Sequence, residues 1–206
     1  RLSASLEITF ADRGSDGRIA HEGLVSAQER APERRILTLE LADAHFISAK
    51  SAWQEDRTED ALDHALVAFE LLREFEKRDP YERNTQLALA KTTSTLVDWG
   101  FAEYTDEMRD RYLRLAELFP TYPSLVSTSA TALAKAGDNA MAIELAERAI
   151  ATEGDTKPWP VAWYAKGAAL INLGEFDQAI AAFDTAIEKE PESGSATLSH
   201  FGLAYI

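Results

Sequence analysis

The residues best suited to chemistry are four histidines, His21, His45, His64 and His200, in a chain of 206 residues. No two of them are three or four residues apart, so no single helix presents two imidazoles to one metal ion. Asp60 and His64 do share a helix face, and we interpret them as a solvated pair at positions i and i+4. The histidines therefore predict no metal site.

A second segment, Asp12–Gly17, resembles the start of a calcium-binding loop. Oxygen-bearing side chains recur there, and glycine occupies the sixth position, as such a loop requires. The third position is Gly14, however, and the twelfth is Gly23, where a bidentate glutamate is needed. We interpret this segment as a flexible acidic turn.

Catalytic motifs are missing from the sequence. It contains no Gly-rich phosphate loop, no nucleophile elbow and no cysteine, which excludes disulfides and thiol chemistry. Carboxylates are abundant, but they fall on predicted polar helix faces. We therefore predict that this segment is not an enzyme and uses no cofactor.

The charge balance favours a protein or peptide as the partner. The formal net charge is −14, and nucleic acid is excluded because phosphate contacts need clustered Lys and Arg. No run of 18 apolar residues occurs, so we expect no membrane insertion by this segment. Since the sequence begins at Arg1, we expect it to be part of a longer protein, and the compartment stays open.

The most regular stretch is VAWYAKGAALINLGEFDQAIAAFDTAIEKEP, from Val161 to Pro191. Apolar residues recur at helical spacing on both sides of Gly174, which predicts two helices joined by a turn with glycine in the left-handed region. Small residues at Gly167, Ala179 and Ala186 allow the two helices to approach closely.

This hairpin resembles the tetratricopeptide repeat (TPR) family. Its signature positions are matched by Trp163, Gly167, Ala179, Phe183, Ala186 and Pro191. Lys166 and Leu170 depart from the pattern, where Leu and an aromatic residue are usual. The resemblance implies a right-handed α-solenoid of antiparallel helix pairs.

A second copy lies 37 residues earlier, where Gly137, Ala142 and Ala149 correspond to Gly174, Ala179 and Ala186. We predict an all-α, TPR-like domain over residues 1–206. It has about five units that end near residues 32, 80, 120, 154 and 191, followed by a partial helix in 192–206. The predicted helices are Ile19–Gln28, Glu33–Trp53, one from Thr58 to Asp79, Asn84–Trp99, one from Tyr104 or Thr105 to Phe119, one from Pro123, and Ala196–Ile206.

The resemblance also implies a groove lined by the first helix of each pair. The positions expected to face it are Ala90, Ser94, Ser127, Thr131, Tyr164, Ala168 and Asn172. Because these side chains are small or neutral, a clamp for a partner's C-terminal carboxylate is not expected. An extended peptide or an inserted helix fits better, and binding on the acidic outer side is an alternative.

The functional prediction is a non-catalytic scaffold for protein–protein interaction. One alternative is the extracytoplasmic TPR tail of a bacterial O-antigen polymerase or ligase-like membrane protein. The segments Arg78–Pro80, Asn84–Thr85 and Leu87–Trp99 resemble those proteins. A further alternative is self-association through exposed terminal helix faces.

Overall fold

The computed structural model describes residues 35–153 and 158–206. Within those ranges the chain forms nine α-helices and one 3-10 turn, and it contains no strand. The predicted all-α fold of helix pairs is confirmed. Predictions for residues 1–34 and 154–157, which include the calcium-like segment and the helix Ile19–Gln28, lie outside the described residues.

The described helices fall into two compact units, with the boundary between Phe101 and Ala102. The first unit contains α1 (Arg35–Gln54), α2 (Thr58–Arg78) and α3 (Arg83–Asp98). Helix α2 packs against both α1 and α3. The indole rings of Trp53 and Trp99 stack 4.9 Å apart, so the C-terminal ends of α1 and α3 meet. The single repeat domain over residues 1–206 stays a prediction.

The second unit begins with the 3-10 turn Ala102–Tyr104, which the sequence did not predict. Its described helices are α4 (Thr105–Leu118), α5 (Pro123–Lys135), α6 (Asn139–Ile150), α7 (Pro160–Asn172), α8 (Phe176–Lys189) and α9 (Gly194–Tyr205). Each helix packs against the next along the chain, and α7 also packs against both α5 and α9. The first helices of successive pairs therefore lie side by side, as in a repeat array.

Two glycines form the turns inside these pairs. Gly137 and Gly174 have φ angles of +83° and +76°, a region that side chains with a Cβ rarely adopt. Beyond Gly137, the backbone N–H of Asp138 donates to the carbonyl of Leu133 at 2.9 Å. This is the bond of a Schellman motif, and it satisfies a carbonyl that the end of α5 leaves open. The predicted left-handed glycine at position 174 is confirmed.

The predicted helix starts at Thr58 and Pro123 are confirmed. Of the two starts predicted for α4, Tyr104 and Thr105, the helix begins at Thr105. Helix α9 starts at Gly194, two residues before the predicted Ala196. The reason is an N-cap: the Ser193 hydroxyl oxygen accepts a hydrogen bond from the Ala196 N–H at 3.1 Å. A serine cap satisfies one of the free N–H groups of the first turn.

Close packing in the second unit centres on Phe183 of α8, which is 1% exposed. A Cβ atom added to Gly167 of α7 would lie 2.6 Å from the Cε1 atom of its ring. A Cβ atom added to Gly202 of α9 would lie 2.6 Å from its Cζ atom. The ring edge therefore occupies space that two neighbouring helices leave by having glycine.

Glu153 binds the residue before α7 and the first turn of that helix. One carboxylate oxygen accepts from the Trp159 N–H at 2.8 Å and from the Trp163 indole N–H at 3.0 Å. The other oxygen lies 2.8 Å from the Lys189 ammonium group. That ammonium group is also 5.9 Å from the Trp163 ring centroid. A single carboxylate thus joins the start of α7 to the end of α8.

Candidate functional site

The second unit contains five of the predicted groove residues, on α5 and α7. Thr131, Tyr164 and Ala168 are half-buried, and Asn172 is exposed. Ser127 is only 1% exposed and donates its hydroxyl proton to the Ser124 carbonyl, so it belongs to the packed interior. Four residues therefore remain as a candidate surface, which we call the first-helix face: Thr131, Tyr164, Ala168 and Asn172.

Asn172 holds the helices of this face in register. Its side-chain amide donates to the Ala134 carbonyl at 3.0 Å and to the Asn139 side-chain oxygen at 2.9 Å. The last turn of α7 is thereby tied to the end of α5 and the start of α6. Since both amide protons are used, Asn172 presents its own carbonyl oxygen for a further contact.

Tyr164 has both a structural and a surface role. Its ring centroid lies 6.1 Å from that of Phe183, and it packs against the apolar cluster around Phe183. Burial raises the pKa of its hydroxyl group, so the group stays protonated at neutral pH. Truncating Tyr164 would therefore disturb packing as well as the surface, and Ala168 also packs against a core cluster.

In the first unit, the two predicted groove residues differ in their exposure. Ala90 is 0% exposed and belongs to the interior, whereas Ser94 is half-buried. A cavity of about 240 Å³ lies instead between α1 and α3. Its apolar lining comes from Ala42, Phe46, Leu72, Leu87 and Ala88. We call it the α1–α3 cavity.

The sequence pattern does not predict this cavity, because its residues come from three helices. Ala42 and Phe46 lie on α1, Leu72 on α2, and Leu87 and Ala88 on α3. Their helical spacing is that of ordinary core residues, so the pattern alone indicates packing. Only the separation of α1 and α3 leaves space between them.

The structure also brings together two histidines that the sequence analysis left apart. The Nδ1 atoms of His45 on α1 and His64 on α2 are 2.9 Å apart. Asp60, the predicted partner of His64, accepts from Arg57 at 2.5 Å. Each member of the predicted Asp60–His64 pair therefore has another partner, because Arg57 reaches the carboxylate from the preceding turn and α1 brings His45 to His64.

Among the described residues, no group of three or more His, Cys, Asp or Glu side chains is arranged to hold a metal ion. In the same ranges, 35–153 and 158–206, no helix is long and apolar enough to cross a membrane.

Comparison with known proteins identifies the repeat. Residues 160–193, which include α7 and α8, match the family model of the tetratricopeptide repeat. The chain thus contains a tetratricopeptide repeat at the hairpin where its sequence resembles that family. No curated protein matches the chain in sequence. The resemblance to O-antigen polymerase or ligase-like proteins therefore stays a prediction.

Solved structures show the same fold. The crystal structure of MamA protein is 17% identical, with a TM-score of 0.66, and the match covers 92% of this chain and 88% of that one. TTC0263, a thermophilic TPR protein in Thermus thermophilus, is 16% identical, with a TM-score of 0.58 and coverages of 97% and 95%. BtubC (BKLC) from P. vanneervenii is 19% identical, with a TM-score of 0.56 and coverages of 90% and 77%. The chain therefore has the fold of TPR proteins.

Proposed function

We propose that this chain is a non-catalytic scaffold that holds an extended, uncharged segment of a partner protein along the first-helix face. The observation that carries the proposal is the position of Thr131, Tyr164, Ala168 and Asn172 on two first helices that pack side by side. These side chains are neutral, although the chain as a whole has a net charge of −14. A group of neutral side chains on an acidic protein favours a partner bound by shape and hydrogen bonds.

The polar groups of this face suit a peptide backbone. Asn172 offers a carbonyl oxygen, Tyr164 a protonated hydroxyl and Thr131 a hydroxyl oxygen, while Ala168 leaves room for the chain to approach. An extended peptide has unpaired N–H and C=O groups on both sides that need such partners. The rigid helix pairs reduce the entropy lost on binding, because the surface is already formed.

The test is selection of binders from a random peptide library against the full chain, followed by calorimetry on two variants. Ala168→Arg places a long cation on the first-helix face. Ala181→Arg is the matched control, since Ala181 is exposed on the second helix α8. Alanine and arginine both favour helix. Because Ala168 packs against a core cluster, far-UV circular dichroism checks that Ala168→Arg stays folded. We expect Ala168→Arg to weaken binding by about tenfold or more, and Ala181→Arg to leave it unchanged. Equal binding by both variants would refute the proposal.

A second candidate function, self-association, is favoured by α9. Leu198, Phe201 and Tyr205 lie on one side of this helix and are 47%, 69% and 78% exposed. Helix α9 contains no Asp, Glu, Lys or Arg, so two copies can meet there without bringing together the negative charges of either chain. Sedimentation velocity over a hundredfold concentration range tests this. A monomer at every concentration would refute self-association. Dissociation of the oligomer by Phe201→Ser would support it.

A further inference from the structure

Three polar side chains surround the opening of the α1–α3 cavity: Asp43 on α1, and Asn84 and Lys91 on α3. All three are exposed as residues. Asp43 and Lys91 interact through their opposite charges. An apolar cavity with a few convergent polar groups is the arrangement typical of a binding site.

The electrostatics of the opening are balanced. Burial raises the pKa of the Asp43 carboxyl, and the positive charge of Lys91 acts in the opposite direction. The opening thus carries one anion, one cation and one amide. It offers a hydrogen-bond acceptor on α1 and hydrogen-bond donors on α3. Because the two charges are opposite, the opening does not favour a charged ligand.

The volume limits what the cavity holds. Pockets that enclose drug-sized ligands measure about 300–1,000 Å³, and this cavity is about 240 Å³. It has space for one large side chain. Phe46, Leu72 and Leu87 would contact that side chain. A polar side chain in the same place would find no hydrogen-bond partner among these apolar residues.

We propose that the α1–α3 cavity anchors one bulky apolar side chain, of the leucine or phenylalanine type, carried by an extended segment of a partner protein. Asp43 accepts from a main-chain N–H of that segment, and Asn84 and Lys91 donate to its carbonyl groups. This inference rests on the proposed scaffold function and names the partner's chemistry. It concerns a site that is separate from the first-helix face.

The experiment uses the full chain labelled with ¹⁵N and a set of capped peptides Ser-Gly-X-Gly-Ser, in which X is Leu, Phe, Glu or Ser. Burial of one side chain gives weak binding, so chemical-shift titration is the suitable measurement. We expect the Leu and Phe peptides to shift amide resonances of residues 42–46 and 84–92. The Glu and Ser peptides should leave those resonances unchanged. Shifts that do not depend on X would overturn the proposal.

Two variants make the test specific. Ala88→Leu fills the cavity from α3. It should weaken binding of the Leu peptide by about tenfold or more, the loss expected when an apolar side chain is no longer buried. Asp43→Ala removes the acceptor at the opening, and it should weaken binding of the same peptide severalfold. Ala181→Leu on α8 is the control and should have no effect. Unchanged affinity in Ala88→Leu, with near-UV circular dichroism showing the Trp53–Trp99 stack intact, would refute the anchor site.

The outcome also separates this inference from the proposed function. If library peptides bind and respond to Ala168→Arg but not to Ala88→Leu, the scaffold proposal stands and the anchor site is wrong. If peptides bind and respond only to Ala88→Leu, the anchor site stands and the first-helix face is wrong. If no peptide binds, both proposals fail.

Discussion

Phe183 packs against two glycines, Gly167 and Gly202. We therefore expect Gly→Ala at Gly167 to destabilise the protein, which is the opposite of its usual effect in a helix. Gly→Ala in a helix interior normally stabilises a protein by about 0.5–1 kcal/mol. At Gly167, however, the new Cβ atom would lie 2.6 Å, 2.7 Å and 2.9 Å from three ring carbons of Phe183. The ring cannot move towards α9, because a Cβ position at Gly202 is already only 2.6 Å from its Cζ atom.

The expected magnitude follows from these two opposing effects. Overpacking a filled core costs about 1–3 kcal/mol, and the helix propensity of alanine recovers about 0.5–1 kcal/mol. From the middle of each range, we expect Gly167→Ala to lower the free energy of unfolding by about 1 kcal/mol. Urea unfolding followed by far-UV circular dichroism measures the difference.

The matched control is Gly194, at the first position of α9. A Cβ atom added there meets no atom within 4 Å. Gly194→Ala should therefore leave stability unchanged or raise it slightly. If Gly167→Ala is as stable as the wild-type protein, the propensity gain dominates and the packing argument is refuted.

A double-mutant cycle tests the contact itself. Phe183→Leu alone should destabilise the protein by leaving part of its site empty. Combined with Gly167→Ala, it should cost less than the sum of the two single changes, because the alanine methyl group then has space. A coupling energy of about 0.5–3 kcal/mol is typical of residues in contact. Strict additivity would show that the two positions do not meet.

Three further predictions concern single positions. Glu153→Ala should lower the free energy of unfolding by about 1–3 kcal/mol, because the Trp163 indole N–H loses its acceptor. Glu153→Gln should cost less. Equal losses for the two variants in urea unfolding would refute this account. Burial, followed by the charge of Asp43, raises the pKa of the Glu40 carboxyl, so the ionised form is less favourable in the folded state. Glu40→Gln should therefore stabilise the protein at pH 7. The difference in stability from the wild-type protein should vanish as the pH falls below about 4, where this carboxyl is protonated in the folded and the unfolded state. A difference in melting temperature that does not change with pH would contradict the reasoning. Gly137→Ala should destabilise by about 1–2 kcal/mol because φ is +83° there, and an unchanged urea midpoint would show that the turn tolerates a side chain.

Much of the helical architecture was predictable from the sequence. Apolar residues at helical spacing, with Gly137 and Gly174 between them, predicted the pairs α5–α6 and α7–α8. These signals are local, since a left-handed turn needs glycine and a helix face needs a period of about 3.6 residues. The start of α9 was two residues off, because the Ser193 cap acts outside the apolar pattern.

The site was less predictable, because exposure depends on neighbours that are distant in sequence. The spacing that places Ser127 and Tyr164 on equivalent positions does not show that Ser127 is buried and Tyr164 half-exposed. That difference depends on how the surrounding helices pack around each position. A repeat pattern thus predicts which side of a helix a residue occupies, but not how much of it is exposed.

The sequence by itself determined the helices, their turns and the small residues that let them pack, because each depends on contacts between residues close in the chain. The tertiary structure decided which polar groups meet. It paired His45 with His64 across α1 and α2, and it separated α1 from α3 enough to leave a cavity. Such features depend on distances between whole helices, and no local period encodes those distances.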